Sequence, residues 1–226
     1  MISVVQNFIC TKKSRLELLK REIPKMSEML SNYEFFVNYN HSENFDEVYE
    51  IYKHNVDKLN FYNNLEQDWG AVTLSMIKET KTPYILVLCE DFEYRIDSVE
   101  FKKILDEVVE KDISYIPLGR LWKYTKEKYI SGYEEGKRLN YYKATNSPGS
   151  SLSVDALYKK DLFVEKLEEL LQYNSRRFPK NLPHHYEDIF HEPNGVTRWG
   201  DDVLCAVPKE IIIMHIQEET ETQLNK

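Results

Sequence analysis

The sequence predicts an α/β protein in which a mostly parallel central sheet is flanked by helices. The first observation is that short apolar segments alternate with stretches of helical periodicity through residues 2–118. The second is the segment at residues 84–89, whose apolar character is typical of a strand covered on both faces. This repeated strand and helix order predicts an open sheet with right-handed crossovers, in which ligands bind beyond the carboxyl ends of the strands.

The first strand and the first helix lie at the amino-terminal end of the sequence. Residues 2–10 mix β-branched and apolar side chains, as in a short strand. Residues 14–17 begin with Ser14 and end with Glu17 in the form of a capping box, which predicts the start of a helix. Apolar residues then recur at helical steps, although Pro24 lies within this stretch and is expected to kink the helix or begin a second segment.

The alternation continues up to residue 118. A second capping box, from Asp97 to Glu100, marks the start of the last helix of this half. Glu90 and Asp91 follow the buried strand directly, so they are predicted to lie at the sheet edge where ligands bind. The predicted order is a strand at residues 34–39, a helix at 45–56, a strand at 59–62, a helix at 69–77, the buried strand at 84–89, a helix at 97–109 and a strand at 113–118.

The second half of the sequence is less regular. Residues 119–146 are rich in Lys, Tyr and Gly and are interpreted as a long loop or a helix and loop insertion. We expect one domain over residues 1–216 and a polar carboxyl-terminal tail over residues 217–226. The remaining predictions are a strand at 151–154, a helix at 161–171, a loop-rich stretch at 176–200, and closing strands at 203–207 and 211–215.

Composition excludes several classes of protein. The 30 Lys and Arg residues against 38 Asp and Glu residues give a net charge of −8, which argues against nucleic acid as a partner. The 3 cysteines are far apart and form no C-x-x-C pair, so they predict a reducing, cytoplasmic location without disulfides or structural zinc. The sequence shows no secretion leader and no segment apolar enough for a membrane span.

Familiar catalytic motifs are also missing from the sequence. The 7 glycines never form the G-x-G of a dinucleotide-binding loop, and Asp201 follows Gly200 where a Walker A loop needs Lys. Residues 149–151 do not form the nucleophile elbow of a hydrolase, and His191 lacks the second His of a zinc protease helix. Hydrolases of these types and P-loop enzymes are therefore not expected.

Oxygen-rich side chains remain as candidates for a functional site. Glu90 and Asp91 end a buried strand, Glu187 and Asp188 form a second acidic pair, and His215 ends an apolar strand. Such groups suit a hard cation, Mg²⁺ or Mn²⁺, whose coordination is completed by the phosphates of a ligand. Two further aspartates, which follow Gly200, are an alternative to the second acidic pair: Asp201 and Asp202.

The order of these features resembles glycosyltransferases of the GT-A fold, especially the inverting type that uses a nucleotide-diphosphate sugar. The resemblance covers most of the chain. It depends on the first strand and its exit at residues 4–15, the second strand and its polar end at 35–40, and the segment 82–91, which looks like the strand that leads into the family's D-x-D metal motif. It also depends on Glu187 and Asp188, which are followed by a proline, a strand and His215.

The resemblance implies a single GT-A-like, Rossmann-like domain and a role for each candidate residue. Asp91 would hold Mn²⁺ or Mg²⁺ with His215 as a second ligand, and the general base would be Asp188, or Glu187 in a shifted register. The donor would be a UDP-, GDP- or dTDP-sugar, and the acceptor a saccharide or another hydroxyl compound. The residues implied to bind the donor are Thr11, Arg15, Asn38, Asn40 and Glu90.

The sequence departs from the family pattern at Cys89, which stands where the first Asp of the D-x-D motif is usual. A second register reads Glu90, Asp91 and Phe92 as an altered E-D-D, and both registers retain Asp91. Two alternatives therefore stay open. One is a metal-dependent nucleotidyl- or phosphotransferase, and the other is a non-catalytic domain that binds a nucleotide or a glycan.

Overall fold

The structure is a computed structural model that describes residues 2–65, 68–119, 130–144, 155–174 and 203–216. Strands and helices alternate through its first half, as the sequence predicts, and strands predominate in the second. The strands are β1 (Ile2–Phe8), β2 (Glu34–Tyr39), β3 (Leu59–Tyr62), β4 (Tyr84–Leu88), β5 (Phe92–Tyr94), β6 (Tyr115–Pro117), β7 (Ile130–Glu135), β8 (Leu139–Ala144), β9 (Ala156–Lys159), β10 (Leu204–Pro208) and β11 (Ile213–His215). The helices are α1 (Lys13–Met29), α2 (Phe45–Asn55), α3 (Trp69–Glu79), α4 (Ser98–Glu110) and α5 (Lys160–Asn174).

The described strands form one large sheet and one small sheet. The large sheet has 9 strands in the order β3-β2-β1-β4-β9-β6-β10-β8-β7. Strands β3, β2, β1 and β4 are parallel, and β9 inserts antiparallel between β4 and β6. Because β1, β2 and β4 are parallel neighbours, their carboxyl ends reach the same edge of the sheet.

Helices cover both faces of the large sheet, so the central strands are buried on both sides. In β4, Leu86 and Leu88 pack into the apolar cluster that includes residues of α1, α2 and α4. Ile85 and Val87 pack into the opposite cluster with residues of α3 and α5. This two-sided burial explains why the strand lacks the polar and apolar alternation of a half-exposed strand.

The start of α1 differs from the sequence prediction. The helix begins at Lys13, and the N-cap residue Lys12 makes no side-chain capping hydrogen bond, so Ser14 does not cap the helix. The helix also continues through Pro24, whose ring is exposed on the outer face. The proline therefore does not begin a second segment.

The interpretation of residues 119–146 as a long loop or a helix and loop insertion is wrong over residues 130–144, which the structure describes as strands. Strands β7 and β8 form an antiparallel hairpin with an irregularity between Ser131 and Glu134. At the turn, the Gly136 N–H donates to Leu139 O at 2.9 Å, and a Cβ at Gly136 would lie only 2.5 Å from that oxygen. The side chains of residues 131–135 are exposed and those of 139–142 are buried, so neither strand shows the alternation that identifies a strand.

The remaining differences concern two short strands. The strand predicted at residues 151–154 lies outside the described residues, and β9 begins at Ala156. Strand β5 was not predicted; it pairs antiparallel with β11 and forms the small sheet. In the part of the chain that the structure describes, no helix is both long and apolar enough to cross a membrane.

Candidate functional site

The candidate site lies where β1, β2 and β4 end. Cys89, Glu90 and Asp91 follow β4, and residues 9–12 connect β1 to α1 at the same edge. The side chains of Glu90 and Asp91 are 12% and 26% exposed, so both are partly accessible from solvent. The parallel strands thus bring the acidic pair and the exit of β1 together, as the sequence predicts.

The main chain of Cys89 is held from two sides. Its carbonyl accepts a hydrogen bond from Gln6 Nε2 at 3.1 Å, and Tyr52 donates in turn to Gln6 Oε1 at 2.9 Å. Its N–H donates to Asp155 Oδ1 at 3.0 Å. Because both main-chain groups of Cys89 are fixed, the direction in which the chain leaves β4 toward Glu90 is also fixed.

Asp155 brings a buried carboxylate to the end of β4. It precedes β9, is 1% exposed and has a φ of 59°, a left-handed conformation that Asp tolerates better than most residues. The Cys89 Sγ lies 3.3 Å from Asp155 Oδ1 and 3.1 Å from Oδ2. Burial raises the pKa of the Cys89 thiol well above its usual range, and the charges of Asp155, Asp91 and Glu90 raise it further.

Arg15 connects α1 to the acidic pair. Its Nη1 atom donates a hydrogen bond to Glu90 Oε1, and its Nη2 atom lies 3.4 Å from Asp91 Oδ2. The Arg15 side chain is 32% exposed. Sequence reasoning placed Arg15 near a nucleotide but did not identify its contact with these two carboxylates.

Burial also changes the acidity of Glu90. It raises the pKa of this carboxyl to about 7, with further increases from the charges of Asp91 and Asp155, whereas the positive charge of Arg15 opposes the shift. A carboxyl with this pKa changes its charge close to neutral pH. Strongly shifted carboxyls of this kind are concentrated at functional sites.

An amide network fixes the ends of β1 and β2. Asn38 is fully buried; its Nδ2 donates to Asn7 Oδ1 at 2.9 Å, and its Oδ1 accepts from the Asn64 N–H at 2.8 Å. Asn7 in turn contacts the first turn of α3, where Trp69 Nε1 donates to Asn7 O at 2.8 Å. The network ties both strand ends to the loop after β3 and to α3.

The other residues expected to bind the donor lie at the same edge with different exposure. Thr11 is exposed in the connection between β1 and α1. Asn40 follows β2, is half-buried, and donates through its main chain to Phe8 O at 2.9 Å.

The small sheet brings the segment around residue 215 next to Asp91. His215 is in register with Phe92, and the Ile216 N–H donates to Asp91 O at 2.9 Å. The backbone of His215 therefore lies beside the acidic pair. Glu187 and Asp188, and the alternative pair Asp201 and Asp202, lie outside the described residues.

The oxygen donors at this edge suit a hard cation. Mg²⁺ is usually held by one or two protein carboxylates, with phosphate oxygens and water completing its shell. Glu90 and Asp91 could supply these one or two carboxylates, although Arg15 contacts both of them. Considering the described residues alone, no group of three or more His, Cys, Asp or Glu side chains is arranged to hold a metal ion.

Comparison with known sequences gives no family for the chain. No family model matches the sequence, and no curated protein matches it. Solved structures are similar at the level of the fold. S. aureus TarS 1-349 in complex with UDP-GlcNAc aligns with a TM-score of 0.58 and 14% identity, over 100% of this chain and 61% of that one.

Nucleotidyl transferases share the fold as well. A 4-diphosphocytidyl-2C-methyl-D-erythritol synthase from Anaerococcus prevotii aligns with a TM-score of 0.51 and 10% identity, over 99% of this chain and 92% of that one. A Methanothermobacter nucleotidyl transferase aligns with a TM-score of 0.50 and 13% identity, over 93% and 88%. These likenesses confirm the predicted fold class, a GT-A-like α/β fold with a mostly parallel central sheet.

Proposed function

We propose that the protein is a transferase that moves a sugar from a nucleotide-diphosphate sugar to a hydroxyl group of a saccharide or another acceptor. The observation that carries this proposal is the Glu90 and Asp91 pair, held beyond β4 at the edge where β1 and β2 also end. TarS, which has the same fold, binds a nucleotide-diphosphate sugar, UDP-GlcNAc. Ligands of open α/β sheets bind at this kind of edge.

The acidic pair would hold Mn²⁺ or Mg²⁺ in this reaction. Asp91 is the proposed ligand, with Glu90 beside it and His215 as a second ligand from β11. A divalent cation supplies positive charge that stabilises the diphosphate as the bond to the sugar breaks. The hydrogen bonds of the Gln6 and Asp155 side chains with the main chain of Cys89 would keep the carboxylates in position for that task.

The donor's nucleotide would lie over the exits of β1 and β2. Thr11, Arg15 and Asn40 have side chains at this edge that are at least partly exposed. Asn38 is buried in the amide network, so we propose that it acts by fixing the strand ends and not by touching the base.

The transfer itself would follow an inverting course. The acceptor hydroxyl attacks the sugar from the face opposite the leaving diphosphate and loses a proton to a carboxylate. We propose Asp188 as that general base, with Glu187 as the alternative.

Nucleotidyl transfer is the second candidate, because the Anaerococcus synthase aligns over almost its whole length. Backbone that wraps a triphosphate closely is usually rich in glycine. Residues 9–12, which connect β1 to α1, contain no glycine. This connection favours glycosyl transfer over nucleotidyl transfer.

Calorimetric titration of UDP-, GDP- and dTDP-sugars in the presence of Mn²⁺ tests the proposal. At least one donor should bind, and Asp91→Asn should weaken its binding by about tenfold, or about 1.4 kcal/mol. Asp106→Asn is the matched control because it neutralises an exposed aspartate of α4 that pairs with Lys102, away from the site.

Three results would count against the proposal. They are no binding by any donor, unchanged affinity of Asp91→Asn with and without a chelator, and release of pyrophosphate from a nucleoside triphosphate in place of donor-sugar consumption.

A further inference from the structure

Arg15 occupies the oxygens that a cation at this site would use. One guanidinium reaches both carboxylates, since Nη1 contacts Glu90 Oε1 and Nη2 lies 3.4 Å from Asp91 Oδ2. Guanidinium N–H groups take up oxygen lone pairs that a metal ion also needs. Arg15 and a divalent cation therefore compete for the same oxygens.

The guanidinium is incompletely satisfied in this arrangement. The Nε atom of Arg15 is buried and has no hydrogen-bond partner among the described residues. A buried N–H without an acceptor is unfavourable, so a ligand that offers further oxygens would stabilise the side chain. The two phosphates of a nucleoside diphosphate offer such oxygens in a geometry that suits a guanidinium.

The surroundings of Arg15 also favour an anion. The residue lies on the first turn of α1, which contains no acidic side chain, and Lys12 and Lys13 lie shortly before it in the sequence. The N-cap residue makes no side-chain capping hydrogen bond to the helix, and the amino-terminal end of a helix is positive. At 32% exposed, the Arg15 side chain lies close enough to solvent to reach a ligand beside it.

We propose that Arg15 is an exchangeable cation: it pairs with Glu90 and Asp91 in the free protein, and it contacts the donor's diphosphate instead when Mn²⁺ or Mg²⁺ binds those carboxylates. The transfer to phosphate rests on the proposed function, whereas the competition with a metal ion does not. The exchange predicts that metal and nucleotide each bind weakly alone and promote each other's binding. Such coupling is reciprocal, because each ligand releases the group that the other one needs.

Mn²⁺ binding measured by EPR of the free ion tests the competition without any nucleotide. The titration is done at about pH 8.5, above the pKa of about 7 that Glu90 has beside Arg15, because loss of Arg15 raises this pKa and a higher pH favours the carboxylate. Arg15→Gln should bind Mn²⁺ about fivefold more tightly than the wild type, the size expected for loss of a partly exposed ion pair. Arg15→Lys keeps a positive charge and should stay close to the wild type.

A second series adds UDP, GDP or dTDP to the same proteins. In the wild type, the effective nucleotide should tighten Mn²⁺ binding by about fivefold or more, and Arg15→Gln should lose most of this gain and bind the nucleotide more weakly. Arg21→Gln is the control because it removes an exposed arginine from the same helix, where its partner is Glu22. Circular dichroism melting curves establish that each variant is folded.

Under exchange, Arg15→Gln binds Mn²⁺ more tightly and the nucleotide more weakly. If Arg15 had only a structural role, its loss would weaken the binding of both ligands. A folded Arg15→Gln protein that binds Mn²⁺ no more tightly than the wild type overturns the proposal. If no nucleotide binds with Mn²⁺ present, the transferase proposal fails, and the metal-only series still decides whether Arg15 competes.

Discussion

The main chain of Cys89 is fixed by hydrogen bonds with other residues, without a contribution from its own side chain. Its carbonyl is fixed by Gln6 and its N–H by Asp155. The acidic pair that follows is therefore oriented by β1 and by the residue that precedes β9, and a carboxylate at position 89 is not needed for that orientation. Asp155 supplies a carboxylate at the same strand end, next to the Cys89 thiol.

Asp155→Asn tests this arrangement through the reactivity of the Cys89 thiol. Asn retains the oxygen that accepts from the Cys89 N–H but removes the charge, so the pKa of the thiol should fall. Since a lower pKa increases the thiolate fraction but reduces its nucleophilicity, alkylation at about pH 8 should accelerate about threefold for each pKa unit. The rate is measured by mass spectrometry of the peptide that carries Cys89.

Two controls accompany this measurement. The peptide that carries the buried Cys205 reports general loosening, and Asp161→Asn removes an exposed charge near the start of α5. Equal alkylation rates in the wild type and Asp155→Asn would contradict the electrostatic role of Asp155.

At the residue scale, the sequence could locate the acidic pair but not its partners. Glu90 and Asp91 follow an uninterrupted apolar strand, and parallel strands place such residues at one edge. Neither Asp155 nor Gln6 belongs to a recognised motif, and Asp155 reaches the site only because β9 inserts antiparallel beside β4. Nothing in local periodicity indicates that insertion.

At the element scale, the two predicted capping boxes have different outcomes. Asp97 caps α4, since its carboxylate accepts from the Glu100 N–H at 2.8 Å, whereas Ser14 lies within α1 and makes no cap. Asp97→Ala should therefore lower the free energy of unfolding by about 1 kcal/mol. Ser14→Ala should leave it unchanged or raise it slightly, because Ala has the higher helix propensity.

Urea denaturation of both variants measures these two effects. A loss of equal size in Ser14→Ala, or no loss in Asp97→Ala, would reverse the assignment of the caps.

The elements of the first half follow from the sequence because their patterns have a physical cause. Strand β2 and strand β3 have the predicted bounds, and α2 ends one residue earlier than predicted. The hairpin of β7 and β8 was missed because only β8 pairs with β10. Strand β7 lies at the edge of the sheet, is exposed, and carries no apolar pattern. Strand β5 was missed because its partner, β11, is distant in sequence.

At the scale of the whole molecule, the sheet explains why one edge gathers so many polar groups. Helices bury both faces of the central strands, so polar side chains find solvent or a ligand mainly where the strands end. Some polar side chains of the interior are hydrogen-bonded in networks such as that of Asn7 and Asn38. The fold therefore places Glu90 and Asp91 where their side chains are only partly removed from solvent.

Stability should depend on pH through this partial desolvation. The pKa of Glu90 is about 7 in the folded protein and has an ordinary value of 4.5 when unfolded, so the folded state holds its proton more tightly. The tighter binding of this proton stabilises the folded state. This stabilisation is complete below about pH 4.5 and is lost as the pH rises through about 7. The loss is up to about 3 kcal/mol at 1.36 kcal/mol per pKa unit.

The side chain of Glu90→Gln cannot lose a proton, so this variant should gain stability relative to the wild type as the pH rises from about 4.5 to 7.

Glu22 affects stability in the opposite direction. Burial raises its pKa, but the hydrogen bonds from Lys25 and Arg21 outweigh burial and lower the pKa, so the stabilisation by Glu22 is lost toward acid pH. Urea unfolding at several pH values measures the difference between proteins, with Glu110→Gln as an exposed control on α4. A difference between Glu90→Gln and the wild type that stays constant from about pH 4.5 to 8 would show that Glu90 has the same pKa in the folded and unfolded states.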